Sequence, residues 1–271
     1  MCRLYTLRSN QRRMIGCELI AAQNSLLRQS LGDADGDVHA DGWGLGHYQG
    51  GAPQVIRQPA AASFGDGYRW AAAKVFTTNA VAHVRNATVG RAGLANTHPF
   101  RWGNWLFAHN GTLAAFGTIR PQLVAAMTPE LRAIPKGDTD SEHVFHFLMS
   151  RHQRAPTEPL VDTLRRAVAD LVTWSEVADR GAEVALNLVL TDGTQTVIQR
   201  LGRSLWQVER LAVHPCQVCN GSLHIEGPPR LDYRAVAFAS EPVTTDERWT
   251  EVGDGTVFSI DTDTHLHTHS V

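Results

Sequence analysis

The 271-residue chain has no apolar run approaching the ~20 residues that a membrane-spanning helix needs. It has no excess of one charge either. Lys and Arg total 25 against 27 for Asp and Glu, a formal net charge of −2. With no basic run, neither a nucleic-acid footprint nor a polybasic membrane patch is indicated, so no nucleic-acid or membrane partner is expected. There is no internal repeat and no low-complexity linker. Cysteine is scarce, with four residues: Cys2, Cys17, Cys216 and Cys219. So few cysteines argue against a disulfide framework and leave catalysis or metal binding. The opening residues, MCRLYTLRSNQRR, are basic, but no apolar segment and small-residue cleavage site follow. A cytoplasmic location is therefore expected.

What is present suits a globular core: 43% of residues are hydrophobic and 19% charged. CELIAAQNSLLRQS (17–30) carries Leu19, Ile20, Leu26 and Leu27 at helical spacing. HADGWGLGHYQGGAPQVIRQP (39–59) reads as a hairpin turning at Gly50-Gly51. NAVAHVRNAT (79–88) alternates like a half-buried strand, and NWLFAHNG (104–111) is a short apolar run ending in a turn signal. RPQLVAAMTPELRAI reads as a broken helix. DSEHVFHFLMSRH (140–152) and EPLVDTLRRAVADLVTWSEVA (158–178) are helices, and the pattern then returns to strands. Helices in the middle with strands at both ends suggest one α+β unit with mostly antiparallel sheets. The polar end, about 262–271, is expected to be a loose tail.

Position 2 raises the chemical question. Removal of Met1 would leave the thiol and a free α-amine on one residue. With ordinary pKa values of about 7.7–8.0 for the amine and about 8.5 for the thiol, the amine can take the thiol proton near neutral pH. The plain alternative is a buried cysteine at the start of a strand. FAHNGTL (107–113) contains Asn110-Gly111, either a hairpin turn or a side-chain amide beside a backbone N–H, the pair an oxyanion hole needs. Arg85 in AHVRNATVG (82–90) is either a surface cation or a carboxylate clamp. GDTDSEH (137–143) sets acids where a helix begins, which serves either as a cap or as the partner of a substrate ammonium. DGWGLG (41–46) lacks the strand–turn–helix context of a dinucleotide loop. It reads as backbone that closely approaches another segment, the N-terminus being the expected one.

Together and in this order, MCRLY, DGWGLG, AHVRNATVG, NTHPF, FAHNGTL and GDTDSEH resemble the class II glutamine amidotransferases, which are N-terminal nucleophile hydrolases with a cysteine nucleophile. The likeness is greatest to the small stand-alone branch that includes the ergothioneine-pathway γ-glutamyl hydrolases. The resemblance implies a four-layer α/β/β/α sandwich, here a single domain over 1–271 with Met1 removed. It implies Cys2 as nucleophile, Asn110 and Gly111 as the oxyanion hole, and Arg85, Thr88 and Asp140 as the substrate-binding set. NTHPF (96–100) resembles a wall of the glutamyl pocket. Val89 departs from the histidine that many synthase-linked members carry after the recognition-loop threonine. That change is harmless if the position acts through its backbone.

The implied reaction is hydrolysis of the γ-amide of glutamine or of a γ-glutamyl amide, with no cofactor required for catalysis. An ammonia-supplying glutaminase subunit for a separate synthase partner is one alternative. A catalytically silent glutamine-binding protein is another.

VHPCQVCNGSLHIEG (213–227) holds Cys216-x₂-Cys219 with His224 after it and His214 before it. Thiolate and imidazole in this spacing suit a structural zinc, with His214 or a distant residue as fourth ligand. A redox pair or two structural cysteines are the alternatives, although no βα pattern surrounds the motif. His143 and His146 on the helix after Asp140 read as a packed or solvated pair. His265, His267 and His269 read as part of the polar tail.

Overall fold

The computed structural model describes residues 2–213, 216, 218–219 and 224–269. The chain runs β1 (Arg3–Met14), a π-turn (Cys17–Ala21), α1 (Leu26–Leu31), β2 (Gly42–Gln49), β3 (Ala52–Gln58), α2 (Gly67–Ala73) and β4 (Phe76–Arg85). It continues through β5 (Phe100–Trp102), β6 (Trp105–Thr112), α3 (Phe116–Ala125), α4 (Pro129–Arg132), α5 (Asp140–Arg154) and α6 (Leu160–Ala178). The last part is β7 (Ala185–Thr191), β8 (Thr196–Gln199), β9 (Trp206–Arg210), β10 (Ala235–Ala239), β11 (Thr250–Glu251), β12 (Val257–Ile260) and β13 (Leu266–His269).

The strands form two sheets. One has the order β11-β9-β10-β1-β4-β2-β3, the other β13-β12-β8-β7-β6-β5. Every pairing between these strands is antiparallel. Side-chain alternation divides each strand between two layers. In β1, Tyr5 and Leu7 join the cluster under the π-turn, α1 and α2, while Leu4 faces the other sheet. In β10, Ala235, Ala237 and Ala239 point outward and Val236 and Phe238 inward. In the second sheet, Phe107, Leu186, Leu188 and Leu190 meet α3, α5 and α6, and Ala108, Val189 and Ile198 close the inter-sheet core. The result is the four-layer helix/sheet/sheet/helix sandwich. No helix among the described residues is long and apolar enough to cross a membrane.

The sequence-based expectations need three corrections. The 17–30 segment is not one helix: a π-turn ends at Ala21 and α1 begins again at Leu26, capped by Ser25, whose hydroxyl accepts from the Arg28 N–H at 3.3 Å. The glycines of DGWGLG do not approach the N-terminus. Trp43 and Leu45 fill the outer core, so Gly42, Gly44 and Gly46 strip the inner face of β2. A Cβ at Gly44 would overlap the His98 carbonyl, and one at Gly46 would stand 2.9 Å from both Pro99 and Leu106. The close approach is thus to 97–99 and β6. Finally, the polar end is not loose throughout: Leu266–His269 pairs with β12, and the Asp261 carboxylate contacts His267 at 3.0 Å.

α5 begins at a true cap. The Thr139 hydroxyl accepts from the Glu142 N–H at 3.3 Å, and the Glu142 carboxylate accepts from the N–H groups of Lys136 and Gly137. This satisfies donors that a helix start would otherwise leave orphaned. The cap fixes where Asp140 points. His143 and His146 follow as a packed pair, each ring bonded to a backbone carbonyl one turn earlier.

Candidate active site

Register brings the N-terminus to the pocket. Arg3 pairs with Val84 across β1 and β4, which sets Cys2 beside the Arg85 end of β4. The Cys2 Sγ lies 3.3 Å from the Asn86 carbonyl oxygen. Cys2, Arg85, Thr88, Gly111 and Asp140 line one small cavity together with His98 and His109. Loss of solvent pushes the Cys2 thiol up, and the Arg85 charge opposes this.

Asn110-Gly111 is not a turn. Both residues sit in the β6–β7 ladder, opposite Asn187 and Leu186, and β6 runs on to Thr112. Asn110 is buried and its Nδ2 donates to the Ser240 hydroxyl at 3.1 Å. That hydroxyl also accepts from the Leu4 N–H at 3.0 Å. Ser240 therefore ties the amide of one sheet to the head of β1 in the other. An amide nitrogen carries two protons, so one Asn110 donor remains beyond Ser240.

Arg85 is 2% exposed, and its guanidinium donates to the carbonyls of Val89, Gly90 and Arg91 at 2.9, 3.0 and 3.1 Å. The 89–91 loop is thus wrapped round the cation; Val89 meets it through its carbonyl while its side chain packs against the core under the second sheet. Thr88 contacts the Thr112 hydroxyl at 3.2 Å. Asp140 accepts from the Leu113 N–H at 2.7 Å and from the Ser141 N–H at 2.8 Å. A carboxylate has about four acceptor sites, so it can take a further donor.

Several residues were missed by sequence reasoning. Arg3 is buried and contacts Asp33 at 2.8 Å, Glu241 at 2.8 Å and Asp35 at 3.1 Å, while its Nη1 donates to the Cys2 carbonyl at 3.2 Å. It holds the backbone of Cys2. His109 Nε2 contacts the Ala185 carbonyl at 3.0 Å and Nδ1 contacts the Ser141 hydroxyl at 2.8 Å. Because a carbonyl only accepts, Nε2 is the donor to Ala185, and the Ser141 hydroxyl lies between Nδ1 and the Asp140 carboxylate, which it meets at 3.3 Å. The His83 and His98 rings meet at a tilt of 36°, with centroids 4.2 Å apart. Burial pushes both below the ordinary histidine range, His83 to about 3, so both are neutral. NTHPF did flag His98, but no local pattern marks Arg3, Ser240 or His83.

At the other predicted site, the side chains of Cys216, Cys219 and His224 converge. His214 lies outside the described residues, as does Met1. A residue that the spacing did not single out, Cys17, completes the cluster.

The two-sheet sandwich between helical layers has the fold of the N-terminal nucleophile hydrolases, with Cys2 at the head of a central strand. The family model for glutamine amidotransferases class-II matches residues 1–270, and the chain belongs to that family of amidohydrolases. It is 27% identical over 233 residues to the Escherichia coli K12 protein named "Putative glutamine amidotransferase YafJ", covering 80% of this chain and 83% of the relative. It is 40% identical over 80 residues to the gamma-glutamyl-hercynylcysteine sulfoxide hydrolase of Mycobacterium tuberculosis H37Rv, covering 29% of this chain and 34% of that one. Among solved structures, a glutamine aminotransferase class-II domain protein from Silicibacter pomeroyi superposes with a TM-score of 0.66. The two are 20% identical, with 99% of each chain covered.

Proposed function

We propose that the protein hydrolyses the γ-amide of glutamine or of a γ-glutamyl amide through a thioester on Cys2. The observation that carries this reading is the convergence of Cys2, Arg85, Gly111 and Asp140 on one small cavity. After loss of Met1, the α-amine of Cys2 takes the thiol proton. Arg85 binds the substrate carboxylate and Asp140 its ammonium, which sets the γ-carbonyl against the sulfur. The thiolate attacks, and Asn110 Nδ2 and the Gly111 N–H stabilise the oxyanion. The C–N bond breaks and the amine or ammonia leaves with the proton held by the α-amine. Water then cleaves the thioester and releases glutamate.

Arg85 already donates to three loop carbonyls. Binding a carboxylate there exchanges part of that loop contact for a charge-assisted pair, the stronger of the two. Loop 86–91 is therefore the segment that answers substrate. The amine side of the substrate and a synthase partner that would receive ammonia are left open by this geometry.

The test is the intact mass of the purified protein before and after a glutamine-mimicking diazo ketone. The expected result is loss of one methionine and one adduct, with no adduct on Cys2→Ala. Retention of Met1, or a matured Cys2 that takes no adduct while the fold is intact, would overturn the mechanism.

A further inference from the structure

Three of the four cysteines and one histidine meet far from the cavity just described. Cys17 opens the π-turn directly after β1, and its side chain is buried. Cys216, Cys219 and His224 belong to the connection between β9 and β10. One ligand atom from each of the four lies within 4.8 Å of all the others. His224 Nε2 is 3.1 Å from Cys219 Sγ and 3.7 Å from Cys17 Sγ. We infer that Cys17, Cys216, Cys219 and His224 form a Cys₃His zinc site that clasps the β9–β10 connection to the end of β1.

The spacing fits the ion. Zinc–sulfur bonds of about 2.3 Å and zinc–nitrogen bonds of about 2.0–2.1 Å at tetrahedral angles set sulfur and nitrogen ~3.5 Å apart and sulfurs ~3.8 Å apart. The two sulfur–nitrogen distances above straddle that value. The donor set is soft and holds no carboxylate, which selects zinc over calcium or magnesium. Four protein donors also close the coordination sphere, the mark of a structural site.

The ligands sit on a firm frame. The Met14 N–H donates to the His224 carbonyl at 2.9 Å, and the Glu226 N–H donates to the Arg12 carbonyl at 2.9 Å. Arg13 and Ile225 form a β-bridge between them. His224 is thus laid along β1 as an added edge segment, with Cys17 three residues beyond Met14. The adjoining wall is an ion-pair cluster of Glu18 with Arg13 and Arg210, all buried or nearly so. Backbone pairing delivers two of the ligands before any metal arrives, and the motif Cys216-x₂-Cys219 supplies the other two. β1 spans twelve residues between this cluster and Cys2, about 40 Å at strand rise, so the metal takes no part in the cleavage.

The experiment uses the full chain, reduced, with Zn(II) or Co(II) alone as probe. One metal per chain is expected by elemental analysis. The Co(II) form should show tetrahedral d–d bands and thiolate-to-cobalt charge transfer. Cys17→Ser should weaken Zn(II) binding by at least ~100-fold, since loss of a ligand exceeds the 10–100-fold typical of an outer-shell contact. His214→Ala should leave binding unchanged. X-ray absorption on the wild-type zinc protein counts sulfurs without any mutation and should give three sulfurs and one nitrogen. Two sulfurs and two nitrogens, with binding lost in His214→Ala and kept in Cys17→Ser, would replace Cys17 by His214 and overturn the assignment. So would a reduced, folded chain that binds neither metal, the behaviour of a plain Cys216–Cys219 redox pair.

Discussion

Gly111→Ala is the substitution on which the geometry of the proposed oxyanion hole can be judged. A Cβ at this position would overlap the Ala185 carbonyl oxygen, stand 2.6 Å from its carbon and 2.8 Å from His109 Nε2. Ordinary contact begins at about 3.4 Å, so the carbon alone must retreat by 0.8 Å, and the oxygen by more. Neither neighbour is free to do so. Ala185 begins β7 and pairs with Thr112, while its carbonyl holds His109, which in turn holds the Ser141 hydroxyl beside Asp140. The strand must therefore give, and the N–H of residue 111 moves by roughly 1 Å. A misplacement of that size costs about 10²-fold, and outright loss of one oxyanion donor about 10²–10³-fold in kcat.

The assay is steady-state release of glutamate from glutamine or a γ-glutamyl amide, with Tm measured on the same samples. The expected outcome is a kcat lower by 10²–10³-fold and a lower Tm. Asn110→Ala serves as the companion, because it removes the other donor without adding bulk. Its kcat should fall by a similar factor even if Gly111→Ala folds poorly. A Gly111→Ala enzyme within about threefold of wild type, or an unaffected Asn110→Ala, would refute the placement of the oxyanion between these two donors.

Arg3→Met strands the carboxylates of Asp33 and Glu241 inside the fold, and breaking such a buried pair costs about 3–5 kcal/mol. Tm should fall by roughly 10 °C, and turnover should fall more steeply than in Arg3→Lys, which keeps the charge; equal Tm for wild type and Arg3→Met would contradict this. Acid should also weaken the fold through His83, held at about 3 against an ordinary 6.5. The unfolded chain binds a proton between these pH values that the folded chain does not, so stability is complete above pH 6.5 and drains as pH falls toward 3, by up to about 1.4 kcal/mol per pH unit. Urea midpoints from pH 7 to pH 4 should decline less steeply in His83→Gln, and parallel declines would count against burial as the cause.

Much of the site was legible because its residues travel in short motifs whose chemistry is local. Cys2 at the chain start, Arg85 at a strand end and Asp140 at a capped helix start each carry their own signal. The hairpin at Gly50-Gly51 and the helices α5 and α6 were legible for the same reason, since periodicity and caps act within a few residues. What was hidden depends on pairing across the chain. Asn110-Gly111 has the local chemistry of a turn, but β7 pairs across it and keeps the strand extended. The glycines of β2 announce a close approach without saying to what, and the answer, His98, lies half a sheet away. Leu266–His269 has no apolar pattern, yet β12 offers an edge for it. The contacts that hold the site rigid, Arg3 with Asp33 and Glu241 and Asn110 with Ser240, join positions that no spacing rule connects.

These non-local contacts converge on one element. β1 carries the proposed nucleophile Cys2 just before its first residue and the proposed zinc ligand Cys17 just after its last. At the head, the Arg3 guanidinium donates to the neighbouring Cys2 carbonyl, and the Ser240 hydroxyl, from late in the chain, accepts from the Leu4 N–H. At the tail, the 224–226 segment, also from late in the chain, pairs with Arg12, Arg13 and Met14. A nucleophile on a chain terminus has a covalent neighbour on one side only, and termini fray unless tied down. Here the strand is paired with β10 over Tyr5–Ser9 and with β4 over Arg3–Arg8 and at Arg13 and Met14, and it is bonded at both ends. Cys17 follows β1 at the end away from Cys2, where the 224–226 segment from late in the chain also pairs.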